Sequence, residues 1–243
     1  MSDDLSFQFG NLRVTPEERE QRIRKIFQSV AVRYDLMNDA MSFGIHRLWK
    51  RFLVRRILAE GGGMVVDLAG GTGDVARLLA DRALPSQRIV VCDPSTAMME
   101  IGRQRCSAKV EFVEGKAEVM PFADQSVDVL TIAFGLRNTT SLSVALREIH
   151  RVLRPGGLFL CLEFSTPHWL IRPFYNAYSA IVIPRLGAWI AGEPDAYDYL
   201  IQSIRHFPDQ RSLGHSMEQA GFADVSWRNL SFGIVSLHQG RKA

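Results

Sequence analysis

Cysteine is scarce in this chain. Its three copies, Cys92, Cys106 and Cys161, form no Cys-x-x-Cys pair, and Cys92 and Cys161 sit inside apolar runs that read as strands. An odd number of thiols without framework spacing argues against a disulfide scaffold and for reduced, buried side chains in a cytoplasmic protein. Histidine is sparse as well: none of the six stands at metal-ligand spacing such as His-Glu-x-x-His, so no metal is expected. No apolar run is long enough to cross a bilayer, since the longest, Ala177 to Ala191, is broken by Pro184 and Arg185. Met1 to Gly10 carries two aspartates and no apolar core, which excludes a signal-peptide reading. Internal repeats and low-complexity tracts are also missing. Neither sign of charge dominates: the net charge of +3 permits an acidic partner without demanding one.

What is present is an ordinary globular composition, 47% hydrophobic and 23% charged over 243 residues, enough for a large core. Thr15-Pro16-Glu17-Glu18 is a helix start, with a capping Thr, Pro in the first turn and Glu at the capping-box position. Ile23, Ile26, Phe27 and Val30 continue it on one face. A break is expected near Tyr34 to Gly44. A second helix follows, with Ile45, Leu48, Trp49, Phe52 and Leu53 on one side and Arg47, Lys50, Arg51 and Arg55 on the other.

From Met64 the pattern alternates. Strands are expected at Met64–Leu68, Arg88–Asp93, Val110–Val113, Val127–Ala133 and Leu158–Phe164, and helices at Asp74–Asp81, Thr96–Arg105 and Leu142–Leu153. Short apolar strands alternating with helices imply an α/β fold whose parallel sheet is covered on both faces. Pro155-Gly156-Gly157 reads as a helix stop and turn. An aromatic-rich insert follows Pro167, then a helix near Asp209–Ala220 and a hairpin of Val225–Leu230 with Gly233–Gln239 turned at Ser231-Phe232.

The most informative segment is Val65-Val66-Asp67-Leu68-Ala69-Gly70-Gly71-Thr72-Gly73-Asp74. A buried strand running into glycines and then a helix lets backbone approach a ligand at the sheet's carboxyl edge. Asp93 closes the next strand, where a carboxylate can bind ribose hydroxyls. Gly71-x-Gly73-x-x-Ala76 also satisfies a loose dinucleotide fingerprint, so an NAD-dependent oxidoreductase is the first rival. Charge separates the two. A pyrophosphate requires an uncompensated helix N-terminus, whereas Asp67 and Asp74 bracket this turn. Two carboxylates repel a phosphate and attract the ammonium and sulfonium charges of S-adenosylmethionine.

This strand-turn-helix, with acidic strand ends and Pro-Gly-Gly before strand five, resembles the class I methyltransferases. Tyr34-Asp35-Leu36-Met37-Asn38-Asp39-x-Met41-Ser42-x-Gly44-x-His46-Arg47-x-Trp49-Lys50 is similar to the N-terminal signature of the ubiquinone/menaquinone biosynthesis C-methyltransferases. Phe134-Gly135-Leu136-Arg137-Asn138 resembles their second signature. Leu162-Glu163-Phe164-Ser165-x-Pro167 and Ser203-Ile204-x-x-Phe207-Pro208-x-Gln210 match as well. The resemblance implies methylation of a ring carbon on a polyprenyl quinol, either a demethylmenaquinol or a 2-methoxy-6-polyprenyl-1,4-benzoquinol. It also implies a mostly parallel Rossmann-like sheet with an antiparallel last strand. Residues 1–60 would be an N-terminal helical extension forming part of the substrate site. Residues 61–243 would be the methyltransferase domain, with the aromatic insert at 167–206. Thr72, Asp93 and Ala117 fall on family cofactor positions, and Asp67, Gly71 and Gly73 complete the expected cofactor set. Lys116 stands where the family usually has Asn and Ala133 where it often has Ser, so side-chain contacts to the adenosine end differ.

A ring carbon is a poor nucleophile until the adjacent hydroxyl, with an ordinary pKa of about 10, loses its proton. The site therefore needs a base or a cation that stabilises the phenolate. Arg137 and Asn138 follow strand four at the carboxyl edge. Arg stays protonated, which makes Arg137 an electrostatic stabiliser, with Asn138 orienting a water or ring oxygen. His46 is the candidate base, because imidazole titrates near neutrality. Tyr34, Asp39 and Tyr178 are candidates for the acceptor cavity.

The insert offers apolar surface for an isoprenoid tail. The helix with Arg47, Lys50, Arg51, Arg55 and Arg56 suits peripheral contact with the inner membrane face. A second rival, an RNA-binding methyltransferase using that basic helix, is disfavoured because aromatics do not interleave with its charges. No nucleic-acid partner is expected, and a homodimer is left open.

Overall fold

Thr15 Oγ1 accepts from the Glu18 amide at 3.2 Å, and the Glu18 carboxylate accepts from the Thr15 amide at 3.0 Å. This reciprocal capping box satisfies two donors at the start of α1 (Pro16–Val30). A computed structural model of the chain describes residues 8–9, 12–30, 34–84, 86–190 and 194–243. Side chains are described for these, except at 8–9, 12–13, 28, 30, 34–35, 183–190 and 194–198. Gln8–Phe9 and Leu12–Arg13 pair as a short antiparallel ribbon, β1 and β2.

Where the sequence suggests a break, the chain forms α2 (Tyr34–Ser42). Asn38, Asp39 and Ser42 read as helix breakers, but two of them are absorbed into local bonds. Ser42 Oγ donates back to the Asn38 carbonyl at 2.7 Å, and Asp39 accepts a two-pronged ion pair from Arg47. Gly44, at φ 72°, turns the chain into α3 (Ile45–Glu60). The buried face of α3 differs from the expected one. Trp49, Leu53, Val54 and Ile57 are buried with His46 and Lys50, whereas Ile45 and Leu48 are exposed. Burying a large apolar side chain contributes roughly 2 kcal/mol, and these four set the rotation of the helix. That rotation carries Lys50 inward, off the solvated face on which it was expected. Arg56 turns to Glu60 and Gln239, so the basic face is broken up as well.

The sheet contains β3 (Met64–Leu68), β4 (Arg88–Asp93), β5 (Val110–Glu114), β6 (Val127–Ala133), β7 (Leu153–Phe164), β8 (Phe222–Leu230) and β9 (Val235–Lys242). Among the described residues their spatial order is β5-β4-β3-β6-β7-β9-β8. The neighbours from β5 to β7 are parallel, and β9 runs antiparallel to both β7 and β8. The last strand is thus the antiparallel one. Pro155-Gly156-Gly157 does not end a separate turn. It bulges inside β7, whose Leu153 pairs with Val127 while Leu158 pairs with Val129.

Helices α4 (Asp74–Ala80), α5 (Thr96–Arg105), α6 (Leu142–Val152) and α9 (Gln210–Gln219) cross over the sheet. Period-two alternation divides each central strand between two cores. Val66, Leu68 and Leu130 pack with α6 and α9, and Val65, Val129 and Leu160 pack with α3 and α4. The stretch before residue 60 therefore shares a core with the sheet. The insert is helical, as α7 (Arg172–Ile190) and α8 (Pro194–His206). Among the described residues no helix is long and apolar enough to cross a membrane. Cys92 and Cys161 are buried, and all three thiols are unpaired.

The strand order turns at β3 and β6, because β3 leads to β4 on one side while β6 lies on the other. A crevice outside the carboxyl ends of these strands is where an open α/β sheet binds its ligand.

Candidate active site

Two non-glycine residues with left-handed backbone stand at that crevice: Ala69 after β3 (φ 50°) and Phe134 after β6 (φ 60°). Such backbone costs free energy and is found where a site requires it. Both line a cavity that opens at the carboxyl edge of the sheet. Gly70 passes so close to Asp67 that a Cβ there would meet Asp67 Oδ2 at 2.7 Å, so only glycine permits the crossing. Gly71 (φ 55°) donates its amide to Asp93 Oδ2 at 2.8 Å, and the Ser95 amide bonds Asp93 Oδ1 at 2.7 Å. Asp93 thereby ties the first turn to the second strand end and keeps free lone pairs towards the cavity.

Asp67 is the most unusual group present. It is 1% exposed, and neither carboxylate oxygen has a hydrogen-bond partner among the described residues. Burial pushes its pKa up to about 7, against the pull of Lys50 and the Ala76 amide. Burial likewise lifts Asp93 to about 6, opposed by its two amide bonds. Asp74 differs. Burial raises its pKa, but the ion pair with Lys50 at 2.8 Å and the more distant Arg77 outweigh that and leave it lowered. The charge argument from the sequence thus rests on Asp67, because Asp74 is neutralised in place.

Of the remaining expected cofactor residues, Thr72 and Ala117 are buried and line the cavity. Gly73 is absent from its wall. Gly73 instead allows close packing, since a Cβ there would meet Cys106 Sγ at 2.7 Å. Helix α1 closes the cavity from above with Glu20, Ile23, Arg24 and Phe27, and Lys116 after β5 forms an ion pair with Glu20 across the opening. Lys116 and Ala133 both line the cavity, at the two positions where the sequence departs from its family.

A second cavity adjoins the first, and Lys50 and Phe134 belong to the walls of both. It is mostly aromatic and aliphatic, with Phe43, Trp49, Phe164, Phe174 and Tyr175 among its lining. Three basic groups interrupt it: His46, Lys50 and Arg137. Arg137, 6% exposed, donates to the Phe134 carbonyl and pairs with the fully buried Glu163 at 2.8 Å. Its Nε has no partner among the described residues, and its guanidinium lies 5.5 Å from the centre of the Phe164 ring. Burial raises the pKa of Glu163, against the Arg137 charge. His46 is buried, and burial followed by the Lys50 charge lowers its pKa, so the imidazole is neutral at pH 7.

Other expected residues are engaged elsewhere. Asn138 lines the first cavity, and its Oδ1 accepts from Tyr199 at 2.9 Å. Asp39 is absent from the lining and holds Arg47. Tyr178 lines the second cavity, with its hydroxyl donated to the Met41 carbonyl at 3.0 Å. The Tyr34 side chain lies outside the described residues. Lys50, Glu163 and Ser42 carry much of the local electrostatics, although the sequence assigned none of them to the site chemistry. All three lie in the segments that resemble the family signatures, and Glu163 is also an acidic residue at the end of an apolar strand.

Comparison with known proteins agrees with this geometry. Residues 15–242 match the model of the ubiE/COQ5 methyltransferase family. The chain is 59% identical to the ubiquinone/menaquinone biosynthesis C-methyltransferase UbiE of Rubrivivax gelatinosus, over 98% of this chain and 94% of that one. It is 44% identical to the protein of the same name from Hahella chejuensis, with both chains fully covered. Among solved structures, an S-adenosylmethionine-dependent methyltransferase from Thermotoga maritima superposes with a TM-score of 0.64 at 20% identity, covering 90% of this chain and 99% of the other. The cyclase SpnF superposes with a TM-score of 0.65 at 16% identity, covering 92% and 96%. At such identities the likeness concerns the fold alone.

Proposed function

Since the chain belongs to the ubiE/COQ5 methyltransferase family and is an S-adenosylmethionine-dependent C-methyltransferase of ubiquinone/menaquinone biosynthesis, we propose that it methylates a ring carbon of a polyprenyl quinol held in the second cavity. The acceptors are a demethylmenaquinol, a 2-methoxy-6-polyprenyl-1,4-benzoquinol, or both. The observation that carries this reading is the meeting of two unlike cavities at Lys50 and Phe134. One holds an unpartnered buried carboxylate, and the other is an apolar chamber with a cation in its wall. Neither an oxidoreductase nor an RNA methyltransferase is favoured by the family.

The residues fit the cofactor. Asp67 would face its cationic amino-acid end, Asp93 its ribose hydroxyls, and Thr72 and Ala117 the surrounding wall, with Gly70 and Gly71 giving backbone access. When bound, S-adenosylmethionine supplies an electrophilic methyl group on a sulfonium. The protein's part is to position the ring and favour its ionised form. Arg137, held by Glu163 and desolvated by Phe164, places a fixed positive charge where the phenolate develops. Asn138, bound to Tyr199, steadies the loop that carries Arg137. Tyr178 lines the chamber that receives the ring, and Asp39 acts beside it by holding Arg47.

The isoprenoid tail accounts for a feature of the surface. Of the thirteen large hydrophobic residues exposed among the described residues, nine fall in residues 36–48, 169–181 and 232, and three of these, Phe43, Ile45 and Phe174, line the second cavity. Phe43 is 74% exposed, Phe174 78% and Phe232 75%. An apolar rim of this kind favours a cytoplasmic protein that rests on the inner membrane face while it takes up substrate. The rim adds to the basic helix, in which Arg47, Lys50 and Arg56 are paired with carboxylates.

The test is an assay of purified protein with labelled methyl donor against short-chain naphthoquinol and methoxy-benzoquinol analogues. Label on a ring carbon of either is the expected result. Donor binding with no methylation of either would remove the acceptor assignment.

A further inference from the structure

We propose that His46 Nε2 takes the hydroxyl proton of the acceptor ring, and that Ser42 is the positioning residue that holds His46 in the tautomer able to do so. The inference rests on the quinol reading above and adds the base it left unassigned.

The argument is a count of protons. Ser42 has one hydroxyl hydrogen, and its Oγ lies 2.7 Å from the Asn38 carbonyl and 2.7 Å from His46 Nδ1. Two oxygens at 2.7 Å need a hydrogen between them, and a carbonyl has none to give. The Ser42 proton is therefore committed to Asn38, and towards His46 the hydroxyl can only accept. Nδ1 must then carry the imidazole hydrogen. The His46 amide reaches the same oxygen at 3.3 Å, so Ser42 Oγ is already saturated with donors.

With Nδ1 protonated, Nε2 is the bare nitrogen. It has no hydrogen bond among the described residues, and His46 lines the acceptor cavity. Charged neighbours do not disturb this assignment. Asp39 Oδ1 stands 3.9 Å from Nδ1, but both its oxygens are held by Arg47, at 2.7 and 2.5 Å. Lys50 and Asp74 neutralise each other on the next turn and the neighbouring helix. Across the cavity stand Arg137, Tyr175 and Tyr178. Together with burial, Arg47 and Lys50 disfavour a second proton on His46, and Asp39 and Asp74 favour it. The net effect is a neutral ring in an apolar chamber, which is the form a base requires.

The step balances. His46 Nε2 takes the hydroxyl proton as the ring carbon forms its C–C bond to the methyl group and the donor's C–S bond breaks. The resulting cyclohexadienone loses the hydrogen of its methylated carbon to water. The imidazolium returns its proton to the ring oxygen, and one proton passes to solvent overall.

Three measurements test the proposal. In protein labelled with nitrogen-15 in its imidazoles, the His46 resonances should show Nδ1 protonated and Nε2 bare at neutral pH. The opposite tautomer overturns it, and this reading needs neither substrate nor a folded variant. His46→Ala should lower kcat by about a hundredfold or more, with acceptor KM and donor affinity within about threefold. Its kcat–pH profile should lose the acid limb, and added imidazole should restore part of the rate. Ser42→Ala should lower kcat by about tenfold and shift the acid limb, whereas Ser42→Thr, which keeps a hydroxyl, should recover both. Full turnover by His46→Ala with an unaltered pH profile sinks this inference alone. A wild-type protein that binds donor but methylates no quinol sinks the function it rests on.

Discussion

Arg137 Nη1 lies 2.8 Å from Glu163 Oε1, with the two side chains 6% and 1% exposed. A buried pair of this kind need not add stability, but removing one partner leaves the other charge uncompensated, at about 3–5 kcal/mol. Arg137→Met should therefore lose stability of that order in denaturant titrations. Arg137→Met with Glu163→Gln should regain most of it, because the buried charge is gone and the Gln amide oxygen can still accept from the Phe164 amide. Both variants should bind donor within about threefold of wild type by calorimetry and turn over far more slowly. Wild-type turnover in the stable double variant would remove Arg137 from the reaction.

Asp67 predicts a proton linked to cofactor binding. Its pKa of about 7 in the free protein means that much of it is protonated below neutrality. A cationic ligand favours the carboxylate, so binding should release a proton and tighten as pH rises through 7. Calorimetry in buffers of different ionisation enthalpy measures that release. Asp67→Asn should abolish it and weaken binding by about tenfold or more. The same variant should stabilise the free protein at pH 8. The unfolded carboxylate ionises near 4 and the folded one near 7, so the wild-type fold loses stability as pH rises between those values.

The apolar rim predicts a split between long and short acceptors. Trp169→Ser with Phe232→Ser removes two side chains that are more than 70% exposed and outside the lining of the second cavity, so little folding stability should be lost. KM for a long-tailed acceptor in vesicles should rise by about tenfold, and short-chain turnover should stay near wild type. Equal effects on both acceptors would count against a membrane-facing rim.

Acid should expose the cost of a buried histidine. His238 is 0% exposed, with Nε2 2.9 Å from the Gln210 carbonyl, and burial pushes its pKa down to about 4. An unfolded histidine titrates near 6.5, so from that value down to about 4 the unfolded state binds the extra proton and the fold loses stability. The expected loss between pH 7 and 5 is roughly 2 kcal/mol. Asp67 and Asp93 act in the opposite sense over this range, so the measurement is the difference in urea midpoints between wild type and His238→Gln. Parallel pH profiles for the two proteins would refute it.

The central strands were legible because strands buried on both faces need uninterrupted apolar runs, and β3, β4 and β6 have the bounds that those runs imply. Helix α2 was hidden, since its polar residues look like breakers until Asp39 meets Arg47 eight residues later. The face of α3 was misread by a fraction of a turn, since Trp49 and Leu53 are buried as expected but His46, Lys50 and Val54 replace Ile45, Leu48 and Phe52 beside them. Ile45 and Leu48 belong to the apolar rim, and a sequence cannot separate a residue buried in the core from one exposed at a rim. Asp67 and the glycines announced a ligand, but the neutralisation of Asp74 by Lys50 depends on two helices packing together. His46 could be named, yet its tautomer depends on a hydroxyl one turn away. That choice appears only in coordinates.

Arg19 gives the order of assembly a further constraint. Only 3% exposed, it reaches from α1 to the carbonyls of Arg137, Asn138 and Thr139, well over a hundred residues downstream. During synthesis α1 is made early, but its anchor exists only after β6 has left the ribosome. Until then the helix that roofs the first cavity lacks its Arg19 anchor, and a chain arrested before residue 139 would carry the glycine turn without a fixed cover.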